Sequence, residues 1–403
     1  MRVAWMAGMG DWVKVTVIHA AAVIALAAGC AAAQGGRASA VPFPIHHGVN
    51  VSGAFVRAQS PPRPGADGQV SAFFGLGRNP PSYSAAELKR MGFDFVRYPV
   101  NPAVLLENPP AVRARLIQQT EDGFQPYIAQ DMRVVYDLQF WAPPNPIWTS
   151  AAVITDAAKF AQYRALVTEV AARLARRPAG QVAIELMNEP AHSVCAANKW
   201  FQQQNDLIRA VRRVSPRLTI IATGCDSAID DLMAMNAGNT DLSDPNIVYT
   251  FHFYEPFVFT HQGAYGGHPY VVDFHYPSTQ GSAQDTLAQM YAAIDAQHLS
   301  IADSVQAKLW AASQVSHYYA AGANKAKIEK RLDAILAWAS TNHIPASRLY
   351  LGEFAAINWF RTDSPQRLSE RLAWDNDVKA AADARGIAAS FWNLPPTRGP
   401  IFR

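Results

Sequence analysis

Eight apolar runs recur along this chain of 403 residues, and segments with helical spacing of apolar positions separate them. Most runs are apolar at both odd and even positions, which is typical of strands that are buried on both faces. Strands that alternate with helices in this way predict a parallel β/α architecture. The predicted strands are residues 45–55, 93–100, 132–140, 182–190, 218–224, 246–256, 348–356 and 387–394.

The segments between the runs carry clear helix signals. Ser84 and Glu87 form a capping box with Gly92 as the stop, and Ser364 and Pro365 open a second helix as N-cap and first helical residue. Eight strand and helix units predict an α/β fold, a single-domain (β/α)8 TIM barrel, rather than a doubly wound sheet with its glycine-rich phosphate turn. Apolar stripes at helical spacing are Phe160, Tyr163, Val167, Val170 and Leu174, and then Ile328, Leu332, Ile335 and Leu336.

Two irregular regions interrupt the alternation. Residues 57–83, after strand one, are rich in proline and glycine, and residues 257–323, after strand six, form a long insertion that begins as loop and continues as helix. Loops that follow the strands of such a barrel form its active face, so both regions are expected to shape a binding site. Only nine residues, 395–403, follow the last strand, so we expect the final helix of the ring to be missing.

The first residues of the chain read as a targeting segment. Arg2 and Lys14 precede an apolar run of 15 residues, which is too short for a typical transmembrane helix and suits a signal peptide; a buried amphipathic helix is the alternative. We expect a signal peptide at 1–33, a linker at 34–44, a barrel domain at 45–403 and export of the protein. The sequence AAGC, which ends at Cys30, resembles a lipobox, so a lipid anchor is a further expectation.

Charge and cysteine content restrict the partners and the compartment. The net charge is +3 and no block of like charges occurs, so no nucleic-acid partner is expected. Export would place Cys195 and Cys225 in an oxidising compartment, and both follow neighbouring predicted strands. We predict a disulfide between them, with two unpaired buried thiols as the alternative.

Polar side chains gather where the predicted strands end, and in a parallel barrel these ends converge on one pocket. Two carboxylates among them, Glu189 and Glu353, predict glycoside cleavage, in which one carboxyl protonates the leaving oxygen and the other attacks or activates water. Glu185 lies on the same face as Glu189 but about 13 Å deeper, so it is interpreted as the partner of a base such as Arg97. The converging residues are Arg97, Asn188, Glu189, His252, Tyr254, Glu353 and Trp392.

The two glutamates need opposite environments for this chemistry. The Tyr254 hydroxyl and the Arg97 charge are expected to lower the pKa of Glu353 and hold it ionised. Glu189 is expected to have a raised pKa, so that it carries a proton near the working pH.

Four motifs resemble glycoside hydrolase family 5: NEP after strand four, HFY on strand six, LGEF on strand seven and SFW on strand eight. The resemblance implies a retaining enzyme without a cofactor, usually a monomer, with Glu189 as acid/base and Glu353 as nucleophile. It also implies that Asn188 binds the sugar 2-hydroxyl, that Arg97, His252 and Tyr254 form the surrounding network, and that Trp392 is a sugar platform. Gln139 replaces a histidine that the family usually carries after strand three, which leaves the pH optimum and the sugar preference open.

Three functions remain to be weighed on the sequence. The first is an endo-β-1,4-glucanase acting on β-glucan or a related polysaccharide, with β-mannanase, β-1,3-glucanase or exo-glucosidase action as alternatives. The second is a barrel that binds glycan without cleaving it. The third, a metal-dependent hydrolase using His46, His47, His252, His261, His268 or His275, is disfavoured because no HExxH-type spacing occurs. Further aromatic platforms are expected among Trp141, Trp148, Phe257, Tyr265 and Trp359.

Overall fold

Eight parallel strands pair in chain order and close into a barrel, with β8 hydrogen-bonded to β1. This computed structural model describes residues 43–51, 53, 55–56, 69–70, 72–73, 83–141, 147–192, 199–263, 268–357 and 364–392. The strands are β1 (His47–Asn50), β2 (Phe95–Val100), β3 (Arg133–Leu138), β4 (Val182–Glu185), β5 (Thr219–Thr223), β6 (Ile247–His252), β7 (Leu349–Phe354) and β8 (Ala388–Phe391). The predicted TIM barrel is confirmed.

Helices alternate with these strands. Within the described residues they are α1 (Ala85–Arg90), α2 (Pro102–Leu106), α3 (Pro110–Ile128), α4 (Ser150–Thr155), α5 (Ala157–Leu174), α6 (Lys199–Val214), α7 (Ile229–Met233), α8 (Phe257–Thr260), α9 (Ala283–Asp295), α10 (Ile301–Ala321), α11 (Lys325–Thr341) and α12 (Pro365–Asp383). Among the described helices, none is both long enough and apolar enough to cross a bilayer.

The helix starts follow the signals in the sequence. Ser84 caps α1 in a complete capping box with Glu87, and Ser364 caps α12 with Pro365 at its first position. The insertion after β6 contains the short helix α8 in its early part and the helices α9 and α10 in its later part, so the expected order of loop and helix holds apart from α8. Most of residues 57–83, and residues 393–403 where the final helix is expected to be missing, lie outside the described residues.

The inside of the barrel has two layers of different chemistry. The polar layer lies toward the carboxyl ends of the strands and contains the buried side chains of Asn50, Arg97, Asp137, Glu185 and Glu353. Phe95 and Arg97 are two residues apart on β2, so they share a face and lie in adjacent layers. The lower layer is an apolar cluster that contains Phe43, Ile45, Phe95, Val135, Ala183, Ile221, Val248, Tyr350 and Ala388.

Candidate active site

Arg97 is the centre of the polar layer. It is fully buried on β2, and its guanidinium has five N–H groups to donate. Nε and Nη2 donate to the two carboxylate oxygens of Glu185 at 2.8 and 2.7 Å. Nη1 donates to Asn50 at 3.0 Å and to Glu353 at 2.5 Å, and Nη2 also donates to Asn188 at 2.7 Å. Arg97 was expected either to pair with Glu185 or to act on Glu353, and in the structure it does both.

Glu353 lies near the end of β7, where the strand register shifts against β6 and β8. Its side chain is 5% exposed, and its second oxygen accepts a hydrogen bond of 2.8 Å from the Tyr254 hydroxyl. A Cβ on the preceding Gly352 would lie 2.6 Å from Oγ1 of Thr250, so this position requires glycine. The close packing of Gly352 against β6 thus fixes the backbone that presents Glu353.

Glu189 stands at the mouth of the barrel and beyond the end of β4. The strand ends at Glu185, so the predicted strand 182–190 is wrong at its carboxyl end. The chain leaves the hydrogen-bonded ladder of the strands because it must bend over the barrel mouth. Glu189 has a φ of 39°, a backbone conformation that residues other than glycine rarely adopt. Strained backbone of this kind is common at functional sites.

His252 lies between the two candidate catalytic carboxyls. Its Nδ1 is 2.8 Å from Oε1 of Glu189 and 3.6 Å from Oε2 of Glu353. One ligand atom from each of these three residues lies within 4.8 Å of the others. Closure of the barrel therefore brings together two acids that are 164 positions apart in the numbering (353 minus 189).

The two carboxyls meet different neighbours, and these neighbours set the directions of their pKa shifts. Burial raises the pKa of Glu353, and the charges of His252 and Arg97 and the Tyr254 hydrogen bond oppose it. Burial acts in the same direction on Glu189, but the hydrogen bond and the charge of His252 outweigh it and the pKa is lowered. The expected order of the pKa values is thus reversed in this structure, because His252 is hydrogen-bonded to Glu189 and the charge of Glu189 raises the pKa of Glu353. The Glu189 side chain is 44% exposed and that of Glu353 is 5% exposed.

The remaining predicted site residues surround this pair. Asn188 is buried beside Arg97, and Trp392 follows β8, half-buried, with its backbone N–H donating to Phe354. Gln139 is 5% exposed, and its Oε1 has no hydrogen-bond partner among the described residues. Its amide therefore lies at the site without replacing the charge that a histidine would offer.

The predicted aromatic platforms separate into three groups. Trp141 and Phe257 are 40% and 47% exposed, so their rings are accessible. Trp148 is buried, which makes it part of the packing rather than a platform. Tyr265 and Trp359 lie outside the described residues.

Two residues beside the site were not predicted to belong to its network: Asn50 was not named, and His261 was considered only as a metal ligand. Asn50, at the end of β1, donates to the carbonyl oxygens of Gly352 and Phe391 and accepts from Arg97. Its position at a strand end was the available signal. His261, after α8, packs against the Tyr254 and Phe257 rings with centroids 5.0 and 5.2 Å away, and burial lowers its pKa to about 4.

The candidate metal-binding histidines are mostly dispersed. His46 and His47 contact Asp94 and Asp383, away from the polar layer. Within the described ranges, the one set of three possible ligands is the Glu189, His252 and Glu353 cluster itself. In this cluster Nδ1 of His252 lies 2.8 Å from Glu189 and 3.6 Å from Glu353. We therefore interpret the cluster as an acid pair with a histidine between the two carboxyls.

The chain is similar in sequence to known proteins. The sequence model of the family Cellulase (glycosyl hydrolase family 5) matches residues 70–397. Endoglucanase 3 of Fibrobacter succinogenes is 30% identical over 246 residues, which are 59% of this chain and 34% of that protein, so the match spans about a third of its length.

Solved structures also share the fold. A hyperthermophilic endo-β-1,4-glucanase in complex with substrate has a TM-score of 0.58 at 19% identity, over 87% of this chain and 89% of that one. A Bacteroides ovatus xyloglucanase in complex with a heptasaccharide has a TM-score of 0.60 at 16% identity, over 86% and 68%. These similarities concern the barrel architecture.

Proposed function

The chain belongs to glycosyl hydrolase family 5, the cellulase family, and on that premise we propose that it cleaves internal β-1,4 bonds of a glucan by double displacement. The observation that carries the proposal is the pair of acids at the barrel mouth, with oxygens of Glu189 and Glu353 within 4.8 Å. Retaining glycosidases place their carboxyl groups about 5 to 5.5 Å apart, whereas inverting enzymes leave room for a water at about 6.5 to 9.5 Å. The short separation favours retention.

Glu353 is suited to be the nucleophile. One oxygen accepts from the Arg97 guanidinium at 2.5 Å and the other accepts from the Tyr254 hydroxyl at 2.8 Å. Both donors favour the ionised carboxylate and hold its orientation. One of its oxygens attacks the anomeric carbon and forms a covalent glycosyl ester, while the bond to the leaving oxygen breaks.

Glu189 is suited to be the acid and then the base. Two carboxyls this close titrate as a coupled pair. A sugar that packs against Glu189 removes water from its exposed side, which raises its pKa, whereas Glu353 keeps its two donors. The proton of the pair then lies on Glu189, passes to the leaving oxygen, and is regained when Glu189 deprotonates the water that hydrolyses the ester.

The assignment of an endo-glucanase is supported by the activity for which similar proteins are named. Endoglucanase 3 and the endo-β-1,4-glucanase structure both carry that description, and the exposed Trp141 and Phe257 offer platforms beyond a single sugar. Soluble β-1,4-glucan, mannan, xyloglucan and β-1,3-glucan should be compared by release of reducing ends. Fastest release from β-1,4-glucan with long initial products is expected, whereas release of single glucose units or preference for mannan would contradict the assignment.

The roles of the two acids have a direct test with an activated aryl glycoside. Glu353→Ala should lower kcat/KM by about 10²–10⁴-fold or more, because it removes the nucleophile. Glu189→Ala should lower kcat by about 10²–10⁴-fold, because hydrolysis of the ester loses its base, and should lower kcat/KM less, because an activated leaving group needs little protonation. Added azide should give a β-glycosyl azide with Glu189→Ala and an α-glycosyl azide with Glu353→Ala. Glu185→Gln keeps a side chain of the same size outside the proposed pair and should give no azide product. Products of inverted configuration from the wild type would exclude double displacement.

We also propose that the protein is exported. Cys225 is disulfide-bonded, which suits an oxidising compartment; Cys195, its predicted partner, lies outside the described residues. Cell fractionation with mass spectrometry of the mature chain is expected to find an N-terminus at Gln34 or a lipid-modified Cys30. Protein that retains Met1 and reduced cysteines in the cytoplasmic fraction would contradict this.

A further inference from the structure

Asp137 is a buried acid with no role in the mechanism above. It lies on β3, it is fully buried, and it faces Glu185 across the pairing of β3 with β4. Its nearest cationic atom is Nη2 of Arg97, 3.1 Å from Oδ2. Neither of its oxygens has a hydrogen-bond partner among the described residues.

Asp137 receives no hydrogen bond from Arg97 because other residues accept from every N–H group of the guanidinium. A guanidinium has five N–H groups, and these donate twice to Glu185 and once each to Asn50, Asn188 and Glu353. No donor remains for Asp137, although it lies within ion-pair distance. An ionised carboxylate that is fully buried without a single donor is strongly unfavourable.

A second buried acceptor lies close to Asp137 in the chain. Oε1 of Gln139, two residues after Asp137 and just past the end of β3, is also without a partner among the described residues. A proton on Asp137 converts one of these surplus acceptors into a donor. Glu185, by contrast, receives two charge-assisted hydrogen bonds of 2.7 and 2.8 Å, as expected for the ionised member of the two.

We propose that Asp137 holds a proton in the folded protein, and that this neutral side chain leaves the charge of Arg97 to Glu185 and Glu353. Burial acts in the same direction, since it raises the pKa of Asp137 well above its usual range. The groups that act on Asp137 are Arg97 from β2, Glu185 from β4, Glu189 from the segment after β4, Glu353 and Tyr350 from β7, and Tyr163 from α5.

A third negative charge beside Arg97 would compete with the nucleophile for its positive charge. If Asp137 were ionised, Arg97 would face three buried carboxylates, and its stabilisation of the Glu353 anion would be shared further. Asp137 is thus a positioning residue that acts through Arg97 and does not touch substrate. Its effect on Glu353 rests on the proposed function, whereas its protonation does not.

The first experiment compares unfolding of the wild type and Asp137→Asn over pH. A pKa raised in the folded state makes the native wild type bind one proton more than the unfolded chain, so this contribution to stability is full at acidic pH and is lost as pH rises. Asparagine is nearly isosteric and does not titrate. The ratio of the two unfolding constants is therefore expected to change by about tenfold per pH unit between the ordinary pKa of an aspartate, about 3.9, and its raised pKa in the folded protein, with Asp137→Asn gaining relative stability. A ratio independent of pH would overturn the proposal.

Infrared spectroscopy of folded protein at neutral pH locates the proton. Protein labelled with ¹³C at aspartate side chains should show an isotope-shifted protonated-carboxyl band that Asp137→Asn removes and the control Asp375→Asn retains, since Asp375 accepts a backbone hydrogen bond of 2.7 Å. A band that shifts only with labelled glutamate would place the proton on Glu185 and overturn the assignment. If Asp137→Asn does not fold, the labelled wild type still tests the proposal, since the absence of a protonated-aspartate band would overturn it.

A separate measurement tests the effect of Asp137 on Glu353. The acidic limb of the kcat/KM profile should be unchanged in Asp137→Asn, because the variant keeps a neutral side chain beside Arg97. The acidic limb could move in Asp137→Asn although the unfolding and infrared results come out as expected. Asp137 would then be protonated as proposed, but its proposed effect on the nucleophile would be wrong. An inactive wild type would refute the proposed function and leave the two protonation measurements fully informative.

Discussion

The lower layer and the polar layer of the barrel lie one above the other, yet they hold the fold together by different means. Phe95 contacts Tyr350 edge to face at 5.5 Å inside an apolar cluster, where stabilisation follows the buried area and has little directionality. Arg97, two residues later, makes five directed hydrogen bonds to four residues on three other segments. The first layer stabilises the barrel, and only the second connects its stability to the position of Glu353.

Loss of the cation from the polar layer is expected to have the largest effect. Arg97→Met keeps much of the side-chain length but removes every donor of the guanidinium, so Glu185 and Glu353 remain buried without the charge of Arg97. Breaking a buried pair in this way costs about 3–5 kcal/mol of the free energy of unfolding. Activity should also fall by more than about 10²-fold, because the nucleophile loses a charge-assisted hydrogen bond. Urea unfolding and kcat/KM provide the two measurements.

Arg385→Met is the matched control for this variant. Its Nε donates to Asp333 at 2.8 Å, and the Asp333 side chain is 61% exposed. Exposed pairs contribute about 0–1 kcal/mol, so the control should stay close to the wild type in stability and activity. Equal losses in the two variants would remove the distinction between the layers.

Truncation in the lower layer should destabilise the barrel without disabling the site. Phe95→Ala leaves a cavity in a fully buried position and should cost about 3–5 kcal/mol, as large aromatic truncations do. The kcat of the folded fraction should stay near that of the wild type, since no hydrogen bond to the acids is lost. Unfolding curves with activity measured well below the midpoint test this; a kcat loss as large as that of Arg97→Met would contradict it.

The glycine before the nucleophile lies where the two layers meet. A methyl group in Gly352→Ala would overlap Oγ1 of Thr250 at 2.6 Å, so the backbone beside Glu353 must shift. Overpacking of this kind costs about 1–3 kcal/mol, and displacement of the nucleophile should lower kcat more than it raises KM.

Gly322→Ala is the control for the Gly352 variant. Gly322 follows α10 with a φ of 66° and no atom within 4 Å of the added methyl, so its cost comes from backbone strain alone. A stability loss of about 1–2 kcal/mol with normal kcat is expected. Normal kcat in Gly352→Ala as well would mean that the β7 backbone does not determine where Glu353 lies.

Much of this arrangement was predictable because it follows from local rules. Buried strands show apolar runs, helix starts carry Ser84 and Ser364, and parallel strands bring Glu189 and Glu353 to one end of a barrel. The number and order of the strands, and the residues at the mouth, could therefore be read directly.

The parts that could not be predicted depend on register between distant segments. The register shift on β7, the positive φ of Glu189 and the division of Arg97 donors among four partners arise only when eight strands close on one another. The prediction of the order of the pKa values failed for the same reason, since that order depends on which charges and hydrogen-bond partners each buried carboxyl meets. Asn50 carried a signal, its place at a strand end, but nothing in the sequence shows which partner it meets.

The smallest expected effect on stability comes from the second donor to the nucleophile. Tyr254→Phe removes only the hydroxyl that donates to Oε2 of Glu353 at 2.8 Å. The loss of one hydrogen bond should cost about 0.5–1.5 kcal/mol. That hydrogen bond lowers the pKa of Glu353, so its removal raises this pKa and moves the acidic limb of the kcat/KM profile to higher pH.

Tyr276→Phe removes a similar bond far from the acids, where the hydroxyl donates to Oδ2 of Asp377 at 2.7 Å. The two variants should lose similar stability, but only Tyr254→Phe should move the acidic limb. A limb that stays in place in Tyr254→Phe, or moves to lower pH, would mean that a group other than Glu353 sets it. The polar layer would then hold the nucleophile in position without tuning its proton affinity, and its difference from the lower layer would be one of geometry alone.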